Sequence, residues 1–149
     1  MSDIEVSRVI NATPERVYEL VSDLPRMGEW SPENNGGKWL GGITIPVVGS
    51  KFKGKNANGW RKWSTISTVV AADPGKEFTF DVASTGMKVA RWGYTLEAVE
   101  GGTKVTEAWT DHRATLMAKI TGLVVGVKDR AAHNRAGMEQ TLERLAGAV

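Results

Sequence analysis

The sequence predicts an α+β domain in which a curved antiparallel sheet wraps around a long C-terminal helix. Three observations carry this reading. A period-two segment and a short helix open the chain, short strands punctuated by turn residues fill its middle, and the pattern becomes helical near its end. At 149 residues the chain fits one domain, expected over 1–149, with a hydrophobic core that needs no staples.

Ile4, Val6, Arg8 and Ile10 alternate with Glu5, Ser7 and Val9, which reads as an edge strand ending at Asn11. Thr13, Pro14 and Glu15 then supply a capping hydroxyl, a first-turn proline and a first-turn acid. Val17, Leu20, Val21 and Leu24 follow at helical spacing, and this helix is expected to stop near Leu24 because Pro25 disfavours helical geometry before it. A second short helix or turn is expected from Arg26 to Trp30. Between Gly36 and Asp111 an antiparallel meander is expected, clearest at 65–72, 77–84, 89–97 and 103–111. Phe78, Phe80 and Val82 share one face of it, as do Trp92, Tyr94 and Leu96, and as do Val105, Glu107, Trp109 and Asp111. From Asp129 onward Ala131 or Ala132, Arg135, Met138, Leu142 and Leu145 recur at helical spacing. One helix over 116–148 would be about 50 Å long, too long for a domain of this size, so a break is expected near Gly122 to Gly126. The segment 116–125, apolar nearly all round, is expected to lie across the open end of the sheet as a lid, with Gly126 as its hinge.

Composition excludes several chemistries. With no cysteine there are no disulfides, thiolate nucleophiles or thiolate metal sites, and two histidines without an HExxH-type spacing give no metal-ligand set, so neither metal nor cofactor is called for. The N-terminus lacks the basic run and long apolar stretch of a secretory signal, and no segment reaches the roughly 20 apolar residues of a membrane span, so a cytoplasmic protein without integral membrane association is expected. Net charge is +2, and the lysines and arginines look scattered along the chain, which argues against a nucleic-acid surface. Trp60 and Trp63 bracket Arg61 and Lys62, a mixture able to stack on bases, but the simpler reading is a strand whose tryptophans pack while its bases reach water. Gly36-Gly37-Lys38 and Gly54-Lys55-Asn56 lack the strand-loop-helix context of a phosphate loop and read as hairpin turns. Ser64, Ser67 and Ser84 have no nucleophile elbow around them.

Several segments in order resemble one superfamily. They are Asn11-Ala12-Thr13-Pro14-Glu15-Arg16-Val17-Tyr18, Ser22-Asp23-Leu24-Pro25 followed by Glu29-Trp30-Ser31-Pro32-Glu33, Ala72-Asp73-Pro74-Gly75-Lys76-Glu77-Phe78, Trp92-Gly93-Tyr94 with Gly102-Thr103-Lys104-Val105-Thr106-Glu107, and Gly137-Met138-Glu139-Gln140-Thr141-Leu142-Glu143-Arg144-Leu145. Together they resemble the START-like, or SRPBCC, superfamily and within it the polyketide cyclase/dehydrase and lipid-transport family. The resemblance implies a helix-grip (START/Bet v 1-like) fold with a cavity between sheet and C-terminal helix. It supplies a ligand class without a reaction.

The expected ligand is therefore a hydrophobic or aromatic small molecule of lipid, polyketide or isoprenoid type, held by a monomer or homodimer. Phe78, Phe80, Trp92, Tyr94 and Trp109 are expected on the cavity wall, together with Trp30, Trp63, Leu116, Ile120 and Met138. The alternative is a cyclase, aromatase or dehydratase in which Glu107, Asp111 or His133 moves protons, and a further alternative is a groove that binds a partner helix. For Glu107 and Asp111 the simpler reading is preferred, an ion pair of Glu107 with Arg91 or Arg135 and a wet strand end for Asp111. His133, a turn after Asp129, is read first as solvated or paired on its helix.

Overall fold

A computed structural model of the chain describes residues 2–32, 34–113 and 130–149. Seven strands form one curved antiparallel sheet: β1 (Ile4–Ile10), β2 (Asn34–Trp39), β3 (Lys51–Asn58), β4 (Arg61–Asp73), β5 (Glu77–Ser84), β6 (Met87–Val99) and β7 (Gly102–Asp111). Their order across the sheet is β1-β7-β6-β5-β4-β3-β2. The six later strands are thus a continuous meander, and β1 closes on its last member. Short turns set the register. At the β5–β6 turn Thr85 and Gly86 take φ of 52° and 80°, and a pair of left-handed residues there matches the twist of the flanking strands.

Helix α1 (Pro14–Val21) starts as its sequence dictates, with the Thr13 hydroxyl accepting from the Arg16 N–H at 3.2 Å. It ends at Val21, short of Leu24: the Ser22 hydroxyl donates to the Tyr18 carbonyl at 2.7 Å and occupies the helix terminus. Leu24 instead opens a 3-10 helix over Leu24–Glu29. Helix α2 (Arg130–Ala148) turns Asn134, Met138, Thr141, Leu142 and Leu145 inward. Ala131, Ala132 and Arg135, expected on that face, are exposed, because the buried stripe enters at Asn134. Both α1 and α2 rest on the sheet, and the core runs between them through Val17, Leu20, Phe78, Leu96, Val105 and Leu145.

The two glycine-containing segments expected as hairpin turns, Gly36-Gly37-Lys38 and Gly54-Lys55-Asn56, are in fact strand. Gly37 of β2 pairs with Gly54 of β3. A methyl group on Gly37, whose φ is 150°, would lie 2.1 Å from the Lys53 carbonyl oxygen and 2.8 Å from the Phe52 ring. Glycine here lets two backbones and an aromatic ring meet. Trp60 does not pack as expected: it sits in the β3–β4 turn, 80% exposed.

We expect Gly37→Ala to destabilise the fold by about 2 kcal/mol or more, since backbone and ring must both shift. Gly86→Ala, also left-handed but with open space around it, should lower stability by only about 1 kcal/mol. Paired denaturant titrations of the two variants measure the difference.

Candidate functional site: an apolar cavity with one buried acid

Strand register arranges the site in rungs. Phe80, Trp92 and Trp109 lie opposite one another across β5, β6 and β7, and the next rung is Phe78, Tyr94 and Glu107. Aromatic side chains so aligned build a wall, with the Trp92 and Trp109 ring centroids 6.4 Å apart. A cavity of about 160 Å³ opens between this wall and α2, bounded also by Leu24 and Met27 of the 3-10 helix and Phe52 of β3. That volume is close to what holds a single aromatic ring.

Of the expected residues, Trp63, Phe80, Trp92, Tyr94, Trp109, Met138, Glu107 and His133 line this cavity. Phe78 and Trp30 do not. Phe78 shares a face with Phe80 but is covered by α1, where the Tyr18 ring meets it edge-on at 6.0 Å. Trp30 ends the 3-10 helix and is buried in the core, with the Arg26 guanidinium 5.6 Å from its ring. Leu116, Ile120 and the lid expected over 116–125 lie outside the described residues, as does Asp129.

Asp111 ends β7 and does not line the cavity either. Its two carboxylate oxygens accept a bidentate pair of bonds from Arg113, both at 2.9 Å. Partial burial pushes this carboxyl up, but the Arg113 bonds outweigh it and hold the group below the ordinary carboxylate value, so it stays ionised and is no proton donor at neutral pH. Arg113 itself reaches the cavity, with a side chain only 6% exposed. Sequence reasoning passed over Arg113, and no spacing singled it out. It also passed over Phe52, although Lys51, Phe52, Lys53, Gly54 and Lys55 alternate polar with apolar and signalled a half-buried strand.

Glu107 is the exceptional group. It is 2% exposed, and the bases expected as partners are elsewhere: Arg91 bonds Asp81 at 2.6 and 2.9 Å, and Arg135 is exposed. The Tyr94 hydroxyl donates to Glu107 Oε1 at 3.0 Å. Oε2 is buried without a hydrogen-bond partner among the described residues. Burial raises the carboxyl from its ordinary 4.5 to about 8, with the Tyr94 bond opposing. The Tyr94 hydroxyl is itself pushed well up, by burial first and then by the neighbouring acid. At neutral pH the cavity therefore holds a neutral carboxylic acid, able to donate a hydrogen bond to a guest's carbonyl or hydroxyl oxygen.

Fold and cavity together define a helix-grip protein of the START-like, or SRPBCC, class. The chain belongs to the family described as polyketide cyclase / dehydrase and lipid transport, which it matches over residues 1–149. The polyketide-cyclase-like protein Cgl2372 from Corynebacterium glutamicum is 32% identical, with 97% of this chain and 81% of that one aligned at a TM-score of 0.55. Protein CV1439 from Chromobacterium violaceum shares the fold at a TM-score of 0.73 and 18% identity, covering 99% and 96% of the two chains. The di-domain ARO/CYC StfQ from the steffimycin biosynthetic pathway shares it at 0.74 and 12% identity, covering 97% of this chain and 49% of StfQ. No protein with a curated description matches the sequence.

Because Glu107 holds its proton to about pH 8 when folded but only to about 4.5 in an ordinary setting, folding takes up a proton between these values. Its contribution to stability is fully present below pH 4.5 and is lost as pH rises through about 8. The loss should amount to a few kcal/mol, and Glu107→Gln should flatten the curve; denaturant titrations at several pH values read this directly. Tyr94→Phe, which removes a bond favouring the ionised form, should move the Glu107 midpoint upward in a carboxyl-carbon NMR titration.

Proposed function

We propose that the protein binds a small hydrophobic or aromatic molecule carrying a carbonyl or hydroxyl oxygen, its rings against Trp92 and Trp109 and its oxygen on protonated Glu107. The observation that carries this reading is the half-satisfied neutral carboxyl in an otherwise largely apolar cavity. An unpaired buried polar atom is unfavourable, and a guest with one well-placed acceptor relieves that penalty while filling apolar space. Membership of a family described by polyketide cyclisation and lipid transport supports the same ligand class.

A second reading is favoured by the same proton. Donated to a ketone oxygen, it makes the carbonyl carbon electrophilic toward an enol carbon of the same chain: a carbon–carbon bond forms, the ketone becomes a hydroxyl, the enol becomes a ketone, and the enol O–H proton returns to the Glu107 carboxylate. Donated to a departing hydroxyl, it lets water leave by C–O cleavage while the neighbouring C–H bond breaks to form the double bond, its proton returning to the Glu107 carboxylate. The aromatase/cyclase label of StfQ is consistent with such chemistry on this fold, but at 12% identity the likeness is one of fold alone.

The ketone 1-indanone and its hydrocarbon counterpart indane test the binding reading. Both should quench tryptophan emission with one-site saturation, and the ketone should bind about 10-fold tighter at pH 7, a hydrogen bond's worth. That advantage should vanish well above pH 8 and in Glu107→Leu, and persist in Glu107→Gln, which still has a donor. Linear, unsaturable quenching, or equal affinities at every pH, would count against it. For the enzyme reading, Glu107→Gln should abolish turnover of a poly-β-ketone thioester while leaving its affinity within a few fold, since the amide binds but cannot protonate.

A further inference from the structure

The lysines that look scattered along the chain are gathered by the fold. Residues 34–72 contain Lys38, Lys51, Lys53, Lys55, Arg61 and Lys62 and no aspartate or glutamate, so this stretch carries +6 in a chain of net charge +2 and the remainder carries −4. Lys51, Lys53 and Lys55 alternate with buried Phe52 and Gly54 and so share the sheet face turned away from the cavity. Lys38 lies directly opposite Lys53, and Lys62 directly opposite Ala57, which places both on that same face. All five lysines are exposed. The carboxylates on this face lie beyond the lysines: Asp73 at the far end of β4, Glu77 opposite it on β5, and Asp81 of β5, which Arg91 already holds in a bidentate pair.

Lysine directly opposite lysine is destabilising in a sheet. Guarding an exposed edge against another strand explains lysine on β2, the last strand of the sheet, but not on β3, which is paired on both sides. Nor does it explain the loop that joins them. There Ile45, Val47 and Val48 are 76, 57 and 65% exposed. The loop is nonetheless tied down: the Ser50 N–H donates to the Val47 carbonyl, the Val47 N–H to the Ser50 hydroxyl, and the Gly49 N–H to the Val69 carbonyl, at 2.8 to 2.9 Å. At the other end of the hairpin, about 25 Å away, Trp60 is also exposed, with the Arg61 guanidinium 4.4 Å from its ring.

We propose that this outer face of β2, β3 and β4 docks on the surface of an anionic lipid bilayer. The lysines meet the negative headgroups while Ile45, Val47 and Val48 enter the boundary of the acyl region and Trp60 lies at the interface. Branched aliphatics held out at a loop tip match a bilayer and offer nothing to a nucleic acid, whose recognition uses bases, phosphates and stacking rings. The proposal is independent of what the cavity holds.

Flotation of the whole protein with phosphatidylcholine vesicles, with and without about 30 mol% phosphatidylglycerol, tests it. Binding should require the anionic lipid and fall sharply at about 0.5 M salt. Each lysine removed singly, in Lys51→Ala and Lys53→Ala, should lower the partition coefficient about fivefold, equivalent to about 1 kcal/mol. Val47→Asp should lower it by at least as much without touching the lysines. Thermal melts of the three variants establish that they are folded. Absence of binding to anionic vesicles, or binding unchanged by all three folded variants, would overturn the proposal. Tight, salt-sensitive binding of a single-stranded oligonucleotide without vesicle binding, or a dimer that Val47→Asp dissociates, would assign the face to another partner and overturn it equally.

Discussion

The register between β6 and β7, which puts Trp92 opposite Trp109 and Tyr94 opposite Glu107, is the constraint on which the site depends. A slip of one residue would send every side chain of β7 to the opposite face, and the buried acid would become a surface one. Two-residue turns help hold the register. Gly101, at φ 89°, closes the link from Val99 to Gly102, and the bond from the Thr103 hydroxyl to the Ala12 carbonyl anchors the start of β7 to the chain entering α1.

Given that register, burial of one carboxyl among aromatic rings decides the chemistry. An isolated carboxylate in such a place is strongly disfavoured, and the group responds by keeping its proton. Asp111, four residues along the same strand and on the same side, behaves oppositely because Arg113 supplies two bonds and a charge. Two acids of one strand are thereby divided into a neutral donor inside the cavity and an ionised partner outside it. Among the described residues two buried side-chain atoms lack a hydrogen-bond partner, Trp30 Nε1 in the core and Glu107 Oε2, and of the two only Glu107 lines the cavity.

The sheet also has two unlike faces at its β2–β4 end. Phe52, Gly54 and Trp63 border the cavity on one side, while the lysines that alternate with them face outward on the other. One alternating segment thus serves two environments, and the same pleat that builds the cavity wall concentrates positive charge outside it. No described helix is long and apolar enough to cross a membrane.

The sequence by itself determined the class of fold, the first strand and the start of α1, the meander, and the pairing of aromatics on one face, because alternation, caps and turn residues act over neighbours in the chain. It also placed Glu107 on the face of Trp109, since period two leaves no other choice. Which face residues reach the cavity was decided only by packing: α1 covers Phe78, the 3-10 helix draws Trp30 into the core, and Arg113 takes Asp111 out of play. The basic face has the same origin. Lys38 and Lys53 are far apart in sequence and adjacent only because β2 pairs with β3, and the raised proton affinity of Glu107 exists only because the assembled walls exclude water from it.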